Sequence, residues 1–143
     1  MPLAELIDFY ETLSPESVQR FPEFYSETAS FKDPFNEVVG VSRIQHIFQH
    51  MFEQVDAPRF VITEVVQSAQ GTQDAMLVWI LYCRMRFGGN SEVSMRGVSH
   101  LKFDLAGKVY AHRDYWDTAE ELYMKLPVLA CLMRWLRQRL SAG

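Results

Sequence analysis

The stretch "SFKDPFNEVVG", residues 30–40, decides how this chain is read. An Asp-Pro pair follows a short apolar run, and a glycine closes the segment. Proline disfavours helical backbone at the residue before it, and Asp forms turns through its own carboxylate. "ASFKD" therefore reads as a short strand that ends at Asp33. Gly40 then introduces "VSRIQHIFQHMFEQV", where Ile44, Ile47, Phe48, Met51, Phe52 and Val55 make one helical stripe. Ser42 is placed to cap that helix. Asp33 itself has two readings. It is a turn former before proline, or it is a carboxylate among apolar neighbours that moves a proton.

Upstream, Leu3, Leu6, Ile7, Tyr10 and Leu13 have helical spacing. Ser14 and Pro15 break and restart the chain into a second short helix ending near Tyr25. After Pro58 the period changes. "RFVITEVVQSAQ" is β-branched and partly alternating, and "AMLVWILYCRMRF" is apolar enough for a central strand. "SEVSMRGVSHLKFD" and "KVYAHRDYW" follow, joined through "LAG", with further turns at "GTQD" and "GGN". Helices grouped ahead of a strand meander predict an α+β fold, not alternating βαβ units. One domain spans residues 1–143, with residues 118–143 a C-terminal helical tail interrupted at Pro127. A strongly curved sheet around the N-terminal helices makes a cone with one open mouth, a natural small-molecule site. Phe24, Phe31, Phe35, Phe48, Met51, Phe52, Trp79, Phe87, Met95 and Phe103 are expected to pack it, a few of them facing the ligand.

Bulk composition narrows the function. Apolar residues are 48% of the 143, enough for a real core. Residues 1–70 hold eleven acids and four bases, and residues 71–143 seven acids and ten bases. Neither half carries the dense basic stripe of a nucleic-acid partner. Cys83 and Cys131 lie among apolar residues without metal-ligand spacing, and read as buried thiols in a reducing compartment. The acidic start "MPLAELIDFYE" lacks the pattern of a secretory signal, so a cytoplasmic location is expected. No apolar run reaches membrane-spanning length.

Strand alternation puts Tyr110, His112, Asp114 and Trp116 on one face. A phenol, an imidazole, a carboxylate and an indole together suit a pocket wall. His112 beside Asp114 reads either as an acid–base pair or as a satisfied structural histidine. His46 and His50 have metal-ligand spacing but no third ligand, so no metal and no cofactor are expected. His100 alternates with Ser99 and reads as an interface or surface residue. Arg134, Arg137 and Arg139 beside Trp135 make the tail amphipathic, better suited to covering the mouth or a partner subunit than to a membrane.

Two segments carry a family resemblance, "FYSETASFKDPFNEVVGVSRIQHIF" and "GVSHLKFDLAGKVYAHRDYWD". They resemble the nuclear transport factor 2-like superfamily, which includes ketosteroid isomerases, limonene-epoxide hydrolases and SnoaL-like polyketide cyclases. The resemblance covers roughly residues 3 to 126. It implies a cone-shaped, curved mixed sheet, a small apolar organic ligand and a homodimer. Asp33 falls at the isomerase's proton-shuttling aspartate. Phe9 falls at its oxyanion tyrosine, with Tyr10 adjacent, and Ser99 at its protonated acid. Asp114 falls at one catalytic aspartate of the epoxide hydrolase. That enzyme's Arg and second Asp have no counterpart in "LVWILYCRMR", although Arg84 and Arg86 follow closely. The expected catalytic set is Asp33, Asp114 and His112. The expected ligand-binding set is Tyr10, Phe35, Trp79, Ser99, Tyr110 and Trp116. The chemistry implied is proton transfer on a carbonyl compound. The competing expectation is a non-catalytic binding or interaction module of the same fold.

Overall fold

The computed structural model describes residues 3–69, 74–86, 92–121 and 127–141. The turns expected at "GTQD" and "GGN", and the core position expected for Phe87, lie wholly or largely outside them. Helix α1 (Leu3–Glu11) is followed by a 3-10 turn (Ser17–Arg20) that runs into the one-turn α2 (Phe21–Phe24). Strands β1 (Tyr25–Lys32) and β2 (Glu37–Val39) flank the Asp33-Pro34 turn, and α3 spans Val41–Gln54. Four strands then follow: β3 (Val55–Gln67), β4 (Ala75–Met85), β5 (Glu92–Phe103) and β6 (Val109–Tyr115). The chain ends in α4 (Thr118–Glu121) and α5 (Pro127–Leu140).

The six strands form one sheet in the order β2-β1-β6-β5-β4-β3. β1 and β6 run parallel and every other pair is antiparallel. The fold is the α+β architecture expected, a curved mixed sheet with the N-terminal helices against its inner face. Leu6, Phe9, Phe21, Phe24, Ile44, Phe48, Leu77 and Leu101 form the main core there. Phe9 stacks on Phe24 at 4.5 Å and meets Phe21 edge-on at 4.9 Å. This aromatic knot fills the closed end of the cone, where α1 and α2 meet.

Several local features differ from expectation. Gly40, not Ser42, is the N-cap of α3, at φ 116°, a conformation that costs a side-chain residue strain. The short β2 pairs back on β1 through Lys32–Glu37 and was not read as a strand. β3 begins at Val55, ahead of Pro58. The register shift between Asp56 and Arg59 forms a bulge that accepts the missing N–H of proline. His100 is half-buried and lies 3.4 Å from Asp74. Arg84 and Arg86 pair with Glu92 and Asp56, and neither is among the described residues lining the chamber. No helix among the described residues is long and apolar enough to cross a membrane.

The cysteines divide. Cys83 is buried in a satellite core with Val55, Met85 and Met95. Cys131, expected to be buried too, is exposed on α5. Its apolar sequence neighbours Leu132 and Trp135 are themselves half exposed, so local hydrophobicity misreported its burial. The native protein should therefore react with one equivalent of a maleimide, and with a second only in denaturant. Slow native labelling of both thiols at equal rates would contradict this placement.

Candidate functional site

The cone holds a chamber of about 630 Å³. Its walls are mainly apolar, with Phe31, Phe48, Phe60, Met51, Met85 and Met95 among them, and His46, His50 and Gln54 of α3 add polar groups. The volume suits a small organic molecule. Against it lies a narrow space of about 30 Å³, room for a water or a small group. Tyr10, Trp79, Ser99, His112 and Asp114 surround that space. Asp114, Trp79, Phe48 and Phe60 line both spaces, so the two adjoin.

Polar atoms at the narrow end form one hydrogen-bonded chain. Ser99 and Asp114 are cross-strand partners on β5 and β6, and the Ser99 hydroxyl donates to Asp114 Oδ1 at 2.5 Å. The Trp79 indole N–H donates to Ser99 Oγ at 2.9 Å. His112 Nε2 lies 2.6 Å from the same Asp114 Oδ1. Its Nδ1 is hydrogen-bonded to the Tyr25 hydroxyl at 2.6 Å, and Tyr25 to that of Tyr10 at 2.5 Å. Among the described residues, Asp114 Oδ2 has no hydrogen-bond partner. It is the carboxylate oxygen left for a ligand.

Burial makes the chain consequential. His112 is 4% exposed, Ser99 5%, and the Asp114 side chain 15%. Water cannot replace these partners, so each bond holds its neighbour in place. The His112 ring is also gripped edge-on by Phe31 at 4.7 Å and faced by Tyr25 at 5.9 Å. Burial pushes the Tyr10 and Tyr25 phenols far above their ordinary range, so both stay protonated. The Asp114 charge adds to the rise in each.

The structure thus brings together Tyr10, Trp79, Ser99, His112 and Asp114 from the residues singled out in the sequence. Asp33, Phe35 and Trp116 line the outer chamber. Phe35 is more than half exposed and meets Trp116 edge-on at 5.7 Å. Asp33 is half-buried, and its Oδ1 closes the turn by accepting the N–H groups of Phe35 and Asn36 at 2.8 and 2.6 Å. Tyr110 departs from expectation. It is 45% exposed and lines neither space. Lys102 pairs with Ala111 but Phe103 with Val109, so one extra residue bulges from β6 at Tyr110. Strict alternation fails there and Val109 takes the inward place.

Tyr25 is the site residue that sequence reading missed. The sequence pattern places it at the end of a helix, whereas it opens β1. Tyr25 shares the parity of the buried Ala29 and Phe31, so alternation points it inward once the strand is seen to begin there. A tyrosine amid the apolar set Phe21, Phe24 and Phe31 was the available signal, because a buried hydroxyl needs a partner.

Solved structures share this architecture. An NTF2-like protein of unknown function from Exiguobacterium is 14% identical, with TM-score 0.68 over 80% of this chain and 97% of its own. A SnoaL-like polyketide cyclase, so assigned without proof, from Jannaschia is 14% identical, with TM-score 0.69 over 82% and 84%. AclR of Streptomyces galilaeus, a hydroxylase by tentative assignment, is 16% identical, with TM-score 0.64 over 99% and 95%. At these identities the likeness shows the fold alone. No curated protein matches the sequence. The SnoaL-like domain model matches residues 6–112, from α1 through the His112 that anchors the buried chain. The chain belongs to the SnoaL-like family.

Proposed function

We propose that this protein is an acid–base enzyme acting on a small, mainly apolar carbonyl compound, in the manner of an isomerase or cyclase. One observation carries the reading. A largely buried carboxylate, held through Oδ1 by His112 and Ser99, lines both the mainly apolar chamber and the small space beside it, and its other oxygen is unpartnered among the described residues. The substrate's reacting end enters the narrow part and its body fills the chamber. Asp114 Oδ2 takes a proton from the carbon beside the carbonyl and returns it elsewhere on the same π system. His112 and Ser99 fix the carboxylate in one orientation, which supplies the alignment that proton transfer demands. Asp33 and Trp116 line the larger chamber with Asp114, where they contact the substrate's body. Asp33 was the base expected from the sequence. The role is assigned to Asp114 because both Asp33 oxygens accept from the turn, Oδ2 from the Asn36 side-chain amide at 3.3 Å, and Asp33 does not line the narrow space.

The test is deuterium uptake in D2O from a panel of cyclic ketones of increasing size, followed by NMR. Uptake well above buffer, lost in Asp114→Asn, is the expected result. Ligand binding without uptake by any ketone would replace the enzyme with the competing reading, a non-catalytic binding module.

We propose also that the chain forms a homodimer through the outer sheet face. Tyr115, Val98 and Val78 lie side by side across β6, β5 and β4, and Ile80 pairs with Val61 beside them. Tyr115 is 48% exposed, so this row presents an apolar surface that association would bury. Val98→Arg should convert a sedimenting dimer to monomer and leave the circular dichroism unchanged. A wild type that sediments as a monomer at high concentration would refute this.

A further inference from the structure

Tyr25 lines neither the chamber nor its narrow end, yet it is almost wholly buried and joined to the site only through His112 and Tyr10. We propose that Tyr25, oriented by Tyr10, is a positioning residue: it fixes His112 as the Nε2–H tautomer and makes Asp114 the end of a one-way chain of donors. The functional half of this proposal rests on Asp114 being the base.

The directions follow from counting protons. An ionised carboxylate only accepts, so the 2.6 Å contact requires His112 to donate from Nε2. The opposite tautomer would set two lone pairs against each other at that distance. A neutral imidazole has one N–H, so Nδ1 must accept, and the hydrogen at 2.6 Å is that of Tyr25. A phenol has one proton. Tyr25 has then committed its own, and its oxygen accepts from Tyr10 at 2.5 Å. On the other side, Trp79 donates to Ser99 and Ser99 to Asp114. Both arms of the network therefore point at one oxygen of one carboxylate. Raised phenol pKa values keep Tyr10 and Tyr25 as donors across the working range of pH. Without Tyr25, the ring would keep only its bond to Asp114, with a buried Nδ1 lone pair unsatisfied.

Ring 15N spectra of histidine-labelled protein test this, with His112→Asn assigning the signal among four histidines. In the wild type, His112 should show a protonated Nε2 and an unprotonated Nδ1 displaced by an accepted hydrogen bond. In Tyr25→Phe, the Nδ1 signal should return to its free position. kcat for deuterium exchange should fall on the order of tenfold with KM near wild type, the scale of one hydrogen bond lost. Tyr10→Phe, which leaves the Tyr25–His112 bond in place, should keep the tautomer with a smaller Nδ1 displacement, and it serves if Tyr25→Phe does not fold. A protonated Nδ1 in the wild type overturns the tautomer. So does an Nδ1 signal that Tyr25→Phe leaves unmoved. An unchanged kcat beside a moved signal overturns the positioning role. A wild type without exchange activity instead overturns the choice of Asp114 as base, and the ring spectrum alone then decides the tautomer.

Discussion

Asp114→Asn is expected to lower deuterium exchange by about 10²–10⁴-fold, the usual contribution of a positioned general base. The substitution is nearly isosteric. The amide oxygen can take the place of Oδ1 and keep the bonds from Ser99 and His112. The amide nitrogen then replaces Oδ2, the atom that faces the ligand. Folding and ligand affinity should survive while proton transfer does not. Asp33→Asn, read in the same assay, should stay close to wild type. Its amide oxygen can still accept the turn N–H groups of Phe35 and Asn36. If Asp33→Asn abolishes exchange and Asp114→Asn does not, the base stands at the rim and the proposed geometry of the reaction is wrong. If both abolish it, the two carboxylates, which follow the paired Lys32 and Arg113 on adjacent strands and line the chamber together, share the proton transfer.

How much of this was legible in the sequence depends on which physical rule governs each residue. The stripe Ile44–Phe48–Met51 and the period change after Pro58 reflect burial of one face of an element. Burial patterns survive any tertiary detail, so the α+β fold and its cone were readable. His112, Asp114 and Ser99 were readable for a related reason, since alternation on β5 and β6 holds where the ladder is regular. Tyr110 was not, because a register shift that no local pattern marks falls on it, and Tyr25 was not, because β1 begins there, directly against the one-turn α2 that ends at Phe24. Cys131 failed differently. Its sequence neighbours are apolar, yet Cys131, Leu132 and Trp135 are all exposed on α5, and coverage is a property of the assembled fold. Asp33 shows the converse. Both of its readings were visible, and only the hydrogen bonds show that the turn claims Oδ1.

Gly97→Ala is expected to be the most damaging small substitution in the cavity wall. Gly97 and Trp79 are cross-strand partners on β5 and β4. The indole lies across the glycine so closely that an added Cβ would overlap two of its ring carbons. No flexible chain end stands there to yield, only a buried ring whose other side faces Phe60 at 5.6 Å. The indole must swing into the chamber, reducing its volume and pulling Nε1 away from Ser99. Overpacking of this kind costs roughly 1–3 kcal/mol, visible as a lower melting temperature. Activity should fall as well, since Ser99 loses the donor that fixes its hydroxyl on Asp114. The double variant Trp79→Phe with Gly97→Ala separates the two effects. A smaller ring clears the new methyl, so stability should recover, but phenylalanine carries no N–H and the activity should not. Gly97→Ala with wild-type stability and unchanged tryptophan emission would show that the indole does not rest on the glycine. Full activity in the double variant would show instead that the Trp79 donor is dispensable, and would confine its part to shaping the chamber.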